Sequence, residues 1–228
     1  IYQPKYHSFM KTNQDYKNAA LAALKGNWPP AVVATIVYLI IYLAVSLVTN
    51  LMDVETVSMG ALFAILICSL LVSFFVTLPL GVGYYNALNS LLIEDDNNLT
   101  NNMFKFAYGR TLRNVGGMLL MGLYIFLWTL LFIIPGIVKS IAYAMTPFIL
   151  KDYPELSVNQ AINLSMKMMK GRKFDYFWLG LSFIGWGLLC ILTLGIGYLW
   201  LMPYMCTSMA SFYQDVKNDY VKNCDATL

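Results

Sequence analysis

The sequence predicts an all-α membrane protein: a six-span helical bundle built from three degenerate helical-hairpin repeats, each preceded by a cytoplasmic amphipathic helix. Three observations carry that expectation. Hydrophobic residues make up 59% of the chain and charged residues 12%, a balance that leaves too little polar surface to coat a soluble globule. The apolar residues fall in blocks close to the ~20 residues that cross a hydrocarbon core. Lys and Arg collect in alternate connections, the pattern of segments that stay in the cytoplasm.

Taken in order, residues 1–9 precede Met10 and are expected to be an extension or tag, 10–216 a single six-span membrane domain, and 217–228 a polar cytoplasmic tail. Tyr16, Ala19, Ala20, Ala23 and Leu24 recur at helical spacing and lead through KGNW into the first span, 31–52. An acidic turn with Asp53 and Glu55 connects to the return span, 59–80. The second unit repeats the order: Met103, Phe106 and Ala107, then YGRTLRN, a span over 115–134, the turn IIPGIV, and a return span over 137–150. That return span is short, and counts as a span by pairing logic as much as by length. In the third unit Val158, Ala161, Ile162, Ser165, Met166 and Met169 lead to MKGRKF, with Ser157 and Gln160 spaced as a capping box. Spans over 174–194 and 196–213 follow, joined by TLGIGY.

Each return span carries one proline, Pro79, Pro147 or Pro203. Proline lacks an N–H and clashes with the preceding turn, so all three are expected to interrupt their helices. Freed carbonyls must find partners where no water reaches them. The three return helices are therefore expected to be neighbours around a pseudo-threefold axis.

Orientation follows from the basic residues. Lys11, Lys17 and Lys25 precede the first span, and Lys105, Arg110 and Arg113 the third. Lys151, Lys167, Lys170, Arg172 and Lys173 precede the fifth, while Lys217 and Lys222 follow the sixth. Both termini then face the cytoplasm, with Lys139 as the exception to the partition. Cys68, Cys190 and Cys206 fall in spans and Cys224 in the tail, without C-x-x-C spacing, so no disulfide framework is expected.

Little chemistry is visible. The spans hold no Asp or Glu away from their edges, the single histidine is His7, and no nucleophile has a plausible base. No catalytic residue, metal site, cofactor or nucleic-acid partner is expected. The candidate ligand or lipid contacts are Lys139, Tyr84, Asn86, Tyr143, Thr146, Tyr204 and Thr207. The polar residues among them either bridge helices or anchor at headgroups, or else line a central cavity between the proline-bearing spans. Lys139 either snorkels to the outer headgroups or faces the bundle. The leading reading is a non-enzymatic lipid- or envelope-related binding or scaffolding protein. A small transporter with a site between the return spans is the alternative, and a lipid-modifying enzyme is disfavoured. Membrane lipids are the expected partners, with a small-molecule or lipid ligand next.

The stretches GRKFDYFWLGLSFIGWGLLCILTLGIGYLWLMPYMCTSMASFYQDV, FLWTLLFIIPGIVKSIAYAMTPFIL, DYPELSVNQAI and ALKGNW resemble a bacterial membrane family catalogued as domain of unknown function 975. The resemblance extends over roughly 10–216. Its most distinctive pieces are LSFIGW, LTLGIG, Pro203–Tyr204 and Phe212–Tyr213. That family looks distantly similar to the membrane portion of some glycerophosphodiester phosphodiesterases, which points toward lipids. The resemblance implies a six-span protein of the bacterial cytoplasmic membrane and supplies no activity. The longer, acidic first turn departs from its two counterparts.

Overall fold

A computed structural model describes residues 11–50 and 58–225. The expected extension at 1–9 and the acidic turn with Asp53 and Glu55 lie outside the described residues, as does the side chain of Cys224. Among the described residues the chain is helical, with no strand. In order the helices are α1 (Asn13–Leu24), α2 (Trp28–Asn50), α3 (Met59–Val72), α4 (Leu78–Glu94), α5 (Leu99–Tyr108) and α6 (Thr111–Leu131). There follow α7 (Ile133–Tyr143), α8 (Thr146–Asp152), α9 (Val158–Met168), α10 (Lys173–Leu181), α11 (Ile184–Leu192) and α12 (Tyr198–Asp225). A π-helical turn, Ser73–Thr77, joins α3 to α4.

Five helical stretches among these residues are long and apolar enough to cross a membrane: Trp28–Leu47, Met59–Glu94, Thr111–Leu131, Ile133–Asp152 and Lys173–Leu192. Large apolar side chains project outward from them, Leu192 at 80% and Ile134 at 75% exposure. A water-soluble monomer does not present so much contiguous apolar surface. The expected sixth span differs. Helix α12 has length to spare at 28 residues, but Tyr, Ser and Thr dilute its first half and charges its second. Nor does position 216 divide a domain from a tail. The helix continues to Asp225, Asp219 meets Arg172 at 2.6 Å and Lys217 pairs with Asp152.

The prolines act in three different ways. Pro147 stands in the first turn of α8, immediately after a break at Ala144–Met145, where its missing N–H costs nothing. Pro79 occupies the same place in α4, and the π turn before it absorbs the clash, so that Met59–Glu94 runs as one 36-residue helical stretch. Pro203 lies inside α12, which is not interrupted; this corrects the expectation for that residue. It falls in the second turn, so the carbonyl it orphans is that of Leu199, close to the helix start. A break that no proline announces divides α10 from α11 at Ser182–Phe183.

The three amphipathic helices form where periodicity places them, and caps define their ends. Ser157 and Gln160 make the reciprocal capping box on α9, and Thr12 with Asp15 makes another on α1. At the C-terminal ends Gly26 and Gly171 take left-handed φ values of 85° and 83°, a conformation that glycine adopts without a Cβ penalty. Asn27 donates to the Ala23 carbonyl at 3.0 Å. Asn114 does the same for Phe106 and Ala107 at 2.8 and 2.9 Å, so the opening of the next long helix closes off α1 and α5.

The apolar stripes of these helices face the bundle. Tyr16, Ala20 and Leu24 of α1 are buried against α12 and α4; Leu99, Met103 and Ala107 of α5 against α4; Ala161 and Ile162 of α9 against α8, α6 and α7. Among the described residues α5 and α9 thus each pack on the proline-bearing helix that precedes them, and α1 packs on α12.

Candidate functional site

The three proline-bearing helices meet. Asn86 of α4 donates from Nδ2 to the Val82 carbonyl and to the Pro147 carbonyl of α8, both at 2.9 Å. Gln214 of α12 donates to Asn89 of α4 at 2.9 Å. Phe148 of α8 stacks on Tyr213 of α12 with ring centroids 4.7 Å apart, and the Tyr213 hydroxyl donates to Asp152 at 2.8 Å. Asn86, Asn89, Thr146, Thr207 and Ser208 are all fully buried in these helices. Four of their polar atoms have no protein partner: Asn86 Oδ1, Asn89 Nδ2, Thr146 Oγ1 and Thr207 Oγ1. Buried polar atoms without partners are rare, because each forfeits its hydration without a replacement.

The remaining candidates go elsewhere. Tyr84 is buried but turns to α2, sharing a 2.7 Å hydrogen bond with Thr35 and stacking on Tyr38 at 5.1 Å. Tyr204 packs edge-on against Phe183 at 5.2 Å. Lys139 and Tyr143 belong to a separate cluster of α6, α7 and α9. The Lys139 ammonium lies 4.6 Å from the centre of the Trp128 ring and 5.9 Å from that of Tyr143, with Met166 Sδ at 3.8 Å. It faces its neighbouring helices, held by π faces and a thioether. The charged candidate therefore does not share a site with Asn86, Thr146 and Thr207.

Sequence reasoning missed two polar devices. The first repairs helix breaks. Ser165 of α9 donates to the Ala142 carbonyl at 2.8 Å and accepts the Met145 N–H at 3.2 Å, spanning the α7–α8 break. Lys17 of α1, counted among the orienting charges, is buried instead: its ammonium donates to the Ser182 carbonyl at 3.0 Å, at the α10–α11 break, 4.4 Å from the Phe183 ring centre. Burial pulls its pKa down.

The second device is an ionic cluster. Arg172 donates to Asp175 at 2.9 Å, Asp215 at 2.9 Å, Asp219 at 2.6 Å and the Tyr16 hydroxyl at 2.8 Å. Tyr16 in turn donates to Asp215 at 2.7 Å. Burial pushes the Asp215 carboxyl up, but hydrogen bonds from Arg172 and Tyr16 outweigh it and hold the group below its ordinary value. Tyr16, desolvated and donating to Asp215, is raised and stays a neutral phenol. The Arg172–Asp175 spacing is readable in sequence; the partners on α1 and α12 are not. Among the described residues no group of three His, Cys, Asp or Glu side chains could hold a metal ion.

Grooves border the bundle. One, of about 450 Å³, is lined by Trp28, Trp186, Trp200, Leu21, Leu189 and Tyr204 among others. A smaller pocket of about 250 Å³ lies between α4, α5, α6 and α8 and is rimmed by cations.

Helices of this length and apolarity, wrapped around a small polar centre, define the class as helical membrane proteins. Residues 132–220, from the start of α7 into the second half of α12, match the model of a family described as Protein of unknown function (DUF975). No curated protein and no solved structure matches. The likeness to the membrane portion of glycerophosphodiester phosphodiesterases finds no support among these matches.

Proposed function

We propose that this chain is a non-enzymatic, six-span protein of the bacterial cytoplasmic membrane that binds lipid at its flanks and scaffolds the membrane or its partners. On this reading α12 is the sixth span, both termini face the cytoplasm, and three degenerate repeats close into a ring around a pseudo-threefold axis. The cyclic packing of α5 on α4, α9 on α8 and α1 on α12 is what three equivalent units would produce. The amphipathic helices lie on the cytoplasmic side, joined to the bundle through their stripes.

The observation that carries the functional reading is the packed centre. Asn86, Thr146, Phe148, Thr207 and Tyr213 are each at most 2% exposed, so the middle of the bundle is filled by side chains. The tryptophan-lined groove, by contrast, opens on the flank and suits an acyl chain. Native mass spectrometry from mild detergent tests this: phospholipid should remain bound at near-stoichiometric occupancy, and a chain that sheds all lipid would overturn the reading.

A second reading, a small transporter, is favoured by one feature, the four unpartnered polar atoms among Asn86, Asn89, Thr146 and Thr207. They are what a polar solute would meet if the three helices parted. Substituting Asn86 with Leu separates the two. In a scaffold it changes stability alone, whereas in a transporter it also abolishes solute flux measured in proteoliposomes.

A further inference from the structure

We propose that the pocket between α4, α5, α6 and α8 binds a phosphate-bearing anionic group, presented by an acidic phospholipid headgroup or by a soluble phosphoryl compound. This deepens the lipid-binding reading and rests on it only for the membrane source of the ligand.

The pocket, about 250 Å³, has Lys105, Arg110 and Lys151 on its walls with Val82, Leu150 and Asn114 beside them. No carboxylate lines it, and among the described residues none of its three cations stands in an ion pair. This sets it apart from the Arg172 cluster, where the acids are supplied internally. Basic residues at the cytoplasmic ends of spans are common for reasons of orientation alone. These are different because they converge on a concavity and one of them is held in place. The Lys151 ammonium donates to Ser90 Oγ at 2.9 Å and lies 4.3 Å from the Phe106 ring centre, and Ser90 is fully buried. An ammonium has three donors, so two remain for a ligand. Arg110 uses one N–H on the Pro154 carbonyl at 3.2 Å, which orients the guanidinium and leaves the rest of its fork free.

Two lysines and an arginine fork around one hollow suit a ligand with several oxygens and a full negative charge. Phosphate matches that demand better than a carboxylate, which a single fork would satisfy. The apolar Val82 and Leu150 side chains give the less polar part of such a molecule a surface to lie on. Cations gathered beside an apolar floor repel one another, and an anion removes that repulsion.

The test uses the full chain in mild detergent, with dioleoyl phosphatidylglycerol, dioleoyl phosphatidylcholine and inorganic phosphate as probes. Native mass spectrometry should show phosphatidylglycerol retained in preference to phosphatidylcholine. The exposed rim substitutions Lys105→Gln and Arg110→Gln should each lower retained phosphatidylglycerol by about fivefold, with thermal unfolding unchanged and phosphatidylcholine adducts unaffected. Lys222→Gln, a cation outside the pocket, should have no effect. Lys151→Gln should act like the rim variants and supplies a second reading from the wall of the pocket. Stabilisation by inorganic phosphate that is lost in Arg110→Gln, without phosphatidylglycerol retention, would support the site and assign it to a soluble phosphoryl compound. Lipid retained equally by wild type and all variants would overturn the pocket while leaving lipid binding intact. Equal loss on Lys222→Gln would overturn it as well, by showing that charge at any position suffices.

Discussion

The Ser165 hydroxyl accepts the Met145 N–H at 3.2 Å while donating to the Ala142 carbonyl at 2.8 Å. One side chain on an amphipathic helix thus closes the gap left in its neighbour where the helix breaks ahead of Pro147. Both backbone groups lie in a fully buried setting, where an unmade hydrogen bond is expensive. Ser165→Ala should therefore destabilise the protein by about 1–3 kcal/mol, read as a lower unfolding temperature in detergent. An unchanged temperature would mean that the two backbone groups find other partners.

The ionic cluster predicts an acid limit. Arg172 and Asp215 keep only 11% and 14% of their side-chain surface, so Arg172→Ala would leave Asp215 with only the exposed Lys11 at 3.4 Å and the Tyr16 hydroxyl as partners and cost on the order of 3 kcal/mol. The folded-state pKa of Asp215 is depressed. Its contribution is accordingly present above the unfolded carboxyl value of about 4 and is lost as pH falls below it. Unfolding temperature should drop on acidification through that range, and the drop should be shallower in Asp215→Asn.

Close approach of α4 and α5 sets a steric prediction. A Cβ on Gly83 would lie 2.1 Å from the Met103 carbonyl oxygen, and backbone cannot rotate away as a side chain can. Gly83→Ala should cost about 1–3 kcal/mol by overpacking. Gly122→Ala, on α6 with nothing within 4 Å, should be neutral or stabilising by up to ~1 kcal/mol through helix propensity. The comparison needs only two unfolding curves.

The proposed topology can be checked with single cysteines in a background lacking the native four. Cysteine at Lys25 or Lys222 should resist an impermeant maleimide in intact cells, and cysteine at Ile134 should react. The reverse pattern would invert the charge partition on which the orientation rests.

What was legible in the sequence was local. Helical periodicity placed α1, α5 and α9, because a buried stripe needs residues three and four apart. The Ser157–Gln160 box was readable since its two halves are three residues apart, and Pro147 marked its break through a steric rule acting on adjacent residues. What was not legible depends on distant partners. Lys17 looked like an orienting charge because Ser182, whose carbonyl it holds, is 165 positions away. Tyr84 was placed with Asn86 by proximity in sequence, yet helix rotation turns it toward Thr35. Asn86 and Thr146 lie where the return helices meet, while Lys139 lies beside Trp128. A charge on a span carries no sign of which neighbour it faces.

The seat of α1 on α12 gives the chain a circular order with a linear birth. As the ribosome delivers the bundle, α5 and α9 each find their partner helix already made. Helix α1 waits longer: Leu24 meets α4 early, but Tyr16, fully buried in the finished fold, lacks its Asp215 and Phe212 partners until α12 is synthesised. Helix α12 is thus the clasp, and Tyr16 hydrogen-bonded to Asp215 across 199 positions is its catch. Closure through so long a separation makes assembly late. It also makes the position of the ends a matter of history: a permuted chain, opened between α8 and α9 and joined across the present termini, would keep every helix against the same neighbours.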